Sequence, residues 1–338
     1  MSMLFLFVPI IIFLIFNIFS GGGSARTLRE LFYGNYYAED GIIDNDDKPN
    51  SKEAFQKCID NNIGIKTEVI LTKDRKLAVS TFEDLSKEYG AEGKVSEKTE
   101  EELKECGVMM LNELLEIVDG QVPVILELKV GDDNEILCRR VADSINAYHH
   151  RNVAVASYHT GMIGWFKRKE KAIFRGAISA PAKDFKALPK LDRFLTGNLA
   201  NNSISRPQFV LYRNKPLPAL VKFAFGLGTV RGIWTLRNPE EAKALEKDKE
   251  IIICRGFLPE EPHYKDIPVR EKSQIEIDAE KKEAARKERI QKKMEYKQQM
   301  EAEKKKASHT PSILEECAED FDDSPIEEYV EEENKTEE

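Results

Sequence analysis

Histidine and cysteine are the side chains most ready to do chemistry near neutral pH. This 338-residue chain has only five of each. Cys58, Cys106, Cys138, Cys254 and Cys317 are widely scattered, and no Cys-x-x-Cys occurs. That spacing supports neither a zinc site nor a dithiol redox motif. The first four read as buried free thiols, and Cys58, inside an expected helix, reads as core rather than nucleophile. The set suits a reducing compartment better than a disulfide scaffold. His149-His150 falls in a polar connection and reads as solvated. His159 follows Ser157-Tyr158 at an expected strand end, which makes it a candidate site residue. A single His does not readily supply both an acid and a base.

Any such site has to be held by the elements between residues 28 and 258, where short apolar runs alternate with amphipathic segments. Strands are expected at 31–34, 65–71, 122–128, 153–157, 173–176, 209–212, 232–235 and 251–254. Helices are expected at 51–61, 110–118, 134–147, 161–167, 190–199, 217–225 and 239–246. Many of the strands are too apolar to alternate, so they read as covered on both faces, as a parallel sheet flanked by helices requires. Eight such units match a (β/α)8 TIM barrel in size, and a doubly wound open sheet gives the same alternation. Ser51 and the Asn238-Pro239-Glu240-Glu241 run are good helix starts. Residues 83–108 are polar and strand-poor, an insertion after the second strand.

The two ends of the chain differ from this middle. Met1 to Phe19 carries no charged side chain, and as a helix it comes close to spanning the hydrocarbon core of a bilayer. Residues 1–20 are therefore expected to anchor the chain in a membrane. Arg26 and Arg29 follow the run, which favours a single-pass protein whose globular part faces the cytoplasm. The alternative is a signal peptide cleaved near Gly23-Ser24-Ala25, giving a secreted product, but no Lys or Arg precedes the run. Residues 21–27, starting Gly21-Gly22-Gly23-Ser24, read as a flexible linker. Residues 259–310 read as a charged, basic helix and 311–338 as an acidic disordered tail, either of which is a candidate contact for a protein partner. The net charge of −9 is mostly tail: residues 311–338 hold 13 acids against Lys335. Residues 1–277 sum to −1, which does not suggest a large basic face for nucleic acid.

One stretch is specific. Residues 64–79, GIKTEVILTKDRKLAV, resemble the second-strand signature of the glycerophosphodiester phosphodiesterase family. Other pieces follow in the family's order. Leu31-Phe32-Tyr33-Gly34 stands at its Ala-His-Arg-Gly segment. Lys48-Pro49-Asn50-Ser51, followed by Glu53-Ala54-Phe55, stands at its Pro-Glu-Asn-x-x-x-Ala-Phe segment. Glu127-Leu128-Lys129 matches its Glu-x-Lys strand end, and Arg175-Gly176 and Trp234-Thr235 match weaker later features. The resemblance implies a TIM barrel over 28–258. It also implies phosphodiester hydrolysis, with Ca2+ or Mg2+ held by carboxylates, an Arg on the phosphate, and two His as acid and base.

The departures from that pattern carry the functional expectation. Phe32 stands at the first His position and Tyr33 at the phosphate-binding Arg. Pro49 and Lys66 replace two metal carboxylates, Glu68 replaces an Asp, and Glu127 and Lys129 are kept. Thr81 and Phe82 replace the second His and its Asp. No catalytic residue is left at the His positions. The residual site is Lys66, Glu68, Glu127, Lys129 and His159. Lys66 is expected to neutralise Glu68 and Glu127 in place of a cation, so no metal or other cofactor is expected. The chain then reads as a membrane-anchored, non-catalytic barrel that binds or scaffolds. The alternative is a hydrolase of glycerophosphodiesters, in lipid metabolism, with an altered site.

Overall fold

The computed structural model describes residues 12–23, 30–43, 47–186 and 188–264. The chain divides into two compact units, Met1–Pro268 and Val269–Glu338. The acidic tail, and the charged helix beyond residue 264, lie outside the described residues.

The first unit is a closed barrel of eight parallel strands. These are β1 (Asn35–Glu39), β2 (Gly64–Leu71), β5 (Val124–Leu128), β6 (Val153–Ser157), β7 (Phe174–Ser179), β8 (Phe209–Arg213), β9 (Val230–Leu236) and β10 (Ile251–Cys254). The ring closes where β1 pairs with β10 on one side, Asn35 opposite Ile251, and with β2 on the other, Tyr37 opposite Gly64. This decides between the two expected architectures in favour of the TIM barrel. Its strands are buried on both faces; Val124 to Leu128 is buried at every residue. The helices α1 (Lys52–Asp60), α3 (Leu111–Val118), α4 (Asn134–Ala147), α5 (Thr160–Lys169), α6 (Lys190–Gly197), α8 (Ala219–Gly226) and α9 (Pro239–Leu245) alternate with the strands, and α7 (Asn202–Ser205) adds one turn before β8. Ser51 caps α1 by accepting from Ala54 N at 3.2 Å, and Asn238 caps α9 ahead of Pro239 at its start.

The insertion after β2 extends the sheet antiparallel through β3 (Leu77–Val79) and β4 (Met109–Met110). Between them, α2 (Glu100–Glu105) starts on a Thr99/Glu102 capping box. The segment has its own small core of Ile70, Leu85, Val95, Leu103 and Val108.

Three expectations change. The first strand is four residues further along than expected. Residues 30–32 form a helical turn and Gly34, at φ 73°, turns the chain into β1. Phe32 and Tyr33 are apolar because they close the amino-terminal end of the barrel. The Phe32 ring stacks 4.9 Å from Phe174, which lies 5.0 Å from Phe209, both at strand starts. Next, the described part of the linker is not loose. Gly22 N donates to Pro207 O at 2.8 Å, and Gln208 Nε2 donates to Gly23 O at 3.0 Å. A Cβ on Gly21 would lie 2.6 Å from Pro207 O, so glycine here permits close backbone approach. Finally, Cys106 is half-buried, whereas Cys58, Cys138 and Cys254 are core thiols.

The expected anchor is described only from residue 12 onward. Residues 12–19 are helical and end with Phe19 buried against the barrel, its ring 5.7 Å from Phe223. Ile12 to Phe16 are exposed. Among the described residues, no helix is long and apolar enough to cross a membrane.

Candidate functional site

The carboxyl ends of the barrel strands converge on a buried cluster of charge. Strand alternation points Lys66 and Glu68 of β2 to the same side, and register sets Glu68 beside Glu127 of β5 and Glu39 of β1 beside Lys66. The Lys66 ammonium is 2.7 Å from Glu127 Oε2, 3.0 Å from Glu68 Oε1 and 3.4 Å from Glu39 Oε1. Lys129 pairs with Glu68 Oε2 at 2.5 Å from the mouth side. Arg255, just past β10, pairs with Asp40 Oδ2 at 3.2 Å and reaches Glu39 at 3.7 Å. Thr235 Oγ1 of β9 donates to Glu39 Oε2 at 3.0 Å.

The electrostatics follow from burial and this pairing. Burial alone would pull the Lys66 pKa down, but Glu127, Glu68 and Glu39 together hold it well above its ordinary value. Burial works against the charge of Glu68, and Lys66 with Lys129 outweighs it, holding that carboxyl below the usual range. Asp40 is fully buried, and burial pushes it up to about 7 despite Lys66 and Arg255. Lys66 is thus a fixed cation, Asp40 is raised toward neutrality, and burial also raises the Glu127 carboxyl against the pull of Lys66.

The structure brings Lys66, Glu68, Glu127 and Lys129 together as one site. It leaves His159 outside. That imidazole caps α5, its Nδ1 accepting from Met162 N at 3.3 Å, so it is engaged in helix initiation. Phe32 and Tyr33 lie at the opposite end of the barrel and line no part of the mouth. Thr81 and Phe82 sit to one side. Thr81 Oγ1 accepts from Asn50 Nδ2 at 3.0 Å and Thr81 N donates to Glu88 Oε2 at 3.1 Å, while Phe82 is exposed. Pro49 leads into Asn50, whose Oδ1 accepts from Thr67 Oγ1 at 2.6 Å and whose Nδ2 donates to Glu88 Oε1 at 2.6 Å.

Glu39, Asp40, Arg255 and Glu88 were missed from sequence. The signal for the first two was present: Ala38-Glu39-Asp40-Gly41 has the Ala-x-x-Gly frame at a true strand end, seven residues after Leu31-Phe32-Tyr33-Gly34. Arg255 follows the last strand and Glu88 lies in the insertion, where no pattern marks them.

A carboxylate-held Ca2+ or Mg2+ does not fit this donor set. The Lys66 ammonium stands where Glu39, Glu68 and Glu127 converge, and it repels a second cation there. Among the described residues, no three His, Cys, Asp or Glu side chains are arranged to hold a metal ion.

Beside the cluster lies a cleft of about 860 Å3 lined by Tyr158, His159, Phe185, Leu188, Leu195 and Trp234, among others. Tyr158 meets both Phe185 and Trp234 edge-on at 5.9 Å. Arg213 covers the Trp234 ring at 5.8 Å and pairs with Asp184 at 3.0 Å. The mouth is therefore a largely apolar recess next to a self-neutralised floor.

No protein-family model and no curated protein matches the chain. Solved structures do. A glycerophosphodiester phosphodiesterase from Parabacteroides distasonis superposes with a TM-score of 0.52 at 18% identity, covering 66% of this chain and 93% of its own. An Oleispira antarctica phosphodiesterase, in complex with the product sn-glycerol-3-phosphate, gives a TM-score of 0.54 at 13% identity over 66% of this chain and 93% of its own. The fold is that of the glycerophosphodiester phosphodiesterases. At these identities the likeness reaches the barrel and its strand order.

Proposed function

We propose that this chain is a non-catalytic barrel of the glycerophosphodiester phosphodiesterase type that binds an apolar or amphiphilic ligand at its mouth. The observation that carries this is the threefold pairing of Lys66 with Glu39, Glu68 and Glu127. Hydrolysis of a phosphodiester needs a cation on the phosphate and a proton for the leaving alkoxide. On our reading, Ala38-Glu39-Asp40-Gly41 occupies the family's Ala-His-Arg-Gly segment. Glu39 then stands for a proton-transferring His and Asp40 for a phosphate-binding Arg. A buried acid paired with Arg255 at the phosphate position offers the substrate no cation, and Lys66 is consumed by its three carboxylates. The neighbouring cleft, walled by Tyr158, Phe185 and Trp234, supports retention of ligand binding without turnover.

The uncharged run from Met1 to Phe19, followed by Arg26 and Arg29, supports a membrane-anchored protein with its barrel on the cytoplasmic side.

The test is hydrolysis of glycerophosphocholine and glycerophosphoethanolamine with Ca2+ or Mg2+ present. No turnover above buffer is expected. Turnover that disappears in Glu127→Gln overturns the non-catalytic reading. Ligand retention is read separately from the fluorescence of Trp234 in a Trp165→Phe background, titrated with a lysophospholipid below its micelle concentration. A saturable change is expected, and a flat titration removes the ligand from the proposal.

A further inference from the structure

The opposite end of the barrel holds a second feature that the mouth does not use. A pocket of about 590 Å3 lies beside residues 16–23 where they cross the starts of β7 and β8. Four cations line it: Lys167 and Lys171 from the end of α5 and the turn after it, Arg175 from β7, and Arg206 from the turn before β8. Among the described residues no carboxylate lines the pocket, and none of the four cations is ion-paired.

Their present partners are neutral oxygens. Lys167 Nζ donates to Ser203 O at 3.0 Å and Ile204 O at 3.3 Å. Arg206 Nη1 donates to Ser20 O at 3.1 Å. Arg175 is only 7% exposed; its Nη1 donates to Gln208 Oε1 at 3.3 Å, and its buried Nε has no hydrogen-bond partner among the described residues. Burial lowers the pKa of Lys167, and Arg206, Arg175 and Arg168 add to the effect, as expected for cations that repel one another. A buried guanidinium with an open donor, among like charges, is an arrangement that an anion relieves.

The surroundings indicate which anion. Phe16 lines the same pocket, and the helical residues running back from it, Ile12 to Ile15, are large, apolar and exposed. Phe223, in contact with Phe19, is exposed on the barrel nearby. A basic pocket opening beside an apolar stripe fits a molecule with a phosphate at one end and hydrocarbon at the other. We propose that this pocket binds the headgroup phosphate of an anionic phospholipid, with Ile12 to Phe16 lying along its acyl chains. Residues 21–23 pack tightly on Pro207, Gln208 and Thr229, so the lipid site and the barrel are one rigid piece. The inference does not depend on the mouth being non-catalytic.

The test uses the full chain in a neutral detergent. Calorimetric titration with dihexanoyl phosphatidylglycerol is compared with dihexanoyl phosphatidylcholine, both lipids below their micelle concentrations, and with inorganic phosphate. One site for phosphatidylglycerol is expected, with weaker binding of both comparators. The double variant Lys167→Gln/Lys171→Gln changes partly or fully exposed side chains and should fold. It is expected to lose affinity about tenfold or more, as two basic residues near a headgroup imply. Lys169→Gln, on the same helix end but not lining the pocket, should bind like the parent. Equal binding of the two lipids, or unchanged affinity in the double variant, overturns the proposal. Inorganic phosphate binding as tightly as the lipid overturns the lipid assignment.

Discussion

At the residue scale, one substitution organises the mouth. Lys66 converts what would be a set of repelling acids into a neutralised core. Removing one partner of a buried ion cluster leaves the others uncompensated, which costs about 3–5 kcal/mol. Lys66→Met is therefore expected to destabilise the barrel by about that amount, read from urea unfolding. A loss within about 0.5 kcal/mol would mean the carboxylates are already neutral without Lys66. Asp40 contributes a pH dependence of its own. Its folded pKa of about 7 lies above the ordinary carboxylate value. The folded chain then keeps a proton that the unfolded chain has lost, so its contribution is present at low pH and is lost as pH rises through about 7. Unfolding free energy should therefore fall between about pH 5 and pH 7, by up to about 1.4 kcal/mol per unit, and Asp40→Asn should flatten that slope. A slope unchanged in the variant would assign the titration elsewhere. Lys66, Glu68 and Glu127 were legible in the sequence because strand alternation and the family signature both mark them. Glu39 and Asp40 were not, because an apolar tetrapeptide just upstream looked equally like a strand.

At the element scale, that same confusion has a physical root. Leu31 to Tyr33 is apolar because it plugs a barrel end, and composition does not distinguish a plug from a strand. Phe32→Ala should open a cavity against Phe174 and cost about 3–5 kcal/mol, while leaving ligand titration at Trp234 unchanged. A shift in that titration would couple the two ends of the barrel. The other seven strands were placed within two or three residues, since each is a bounded apolar run between helices. The glycines at 21–23 show the opposite ambiguity. Glycine serves both flexibility and close contact, and only the neighbouring backbone decides which. Gly21→Ala would set a Cβ 2.6 Å from both Pro207 O and Thr229 Oγ1. Overpacking of this kind costs about 1–3 kcal/mol. Limited proteolysis should then cut near residues 21–23 in the variant and spare the parent; equal cutting rates would restore the flexible linker.

At the scale of the whole molecule, the charge of −9 is distributed very unevenly. Val269–Glu338 carries a net −8 and Met1–Pro268 a net −1. The near-neutral unit is itself polarised. Its strand carboxyl ends gather Glu39, Asp40, Glu68 and Glu127 around three cations, and a pocket at its strand amino ends gathers Lys167, Lys171, Arg175 and Arg206 with no carboxylate in its lining among the described residues. The barrel closes through its own β1–β10 and β1–β2 pairings, and every core cluster among the described residues lies within the first unit. Removing Val269–Glu338 should leave the thermal midpoint of the barrel within about 2–4 °C, the shift that about 1 kcal/mol produces in a domain of this size. A larger fall would show that the barrel depends on the second unit for its stability. Removing the negative charge should also raise the affinity of the amino-end pocket for phosphatidylglycerol at low salt, with the gain vanishing as salt screens it. If the gain persists at high salt, the field of the acidic residues is not its source.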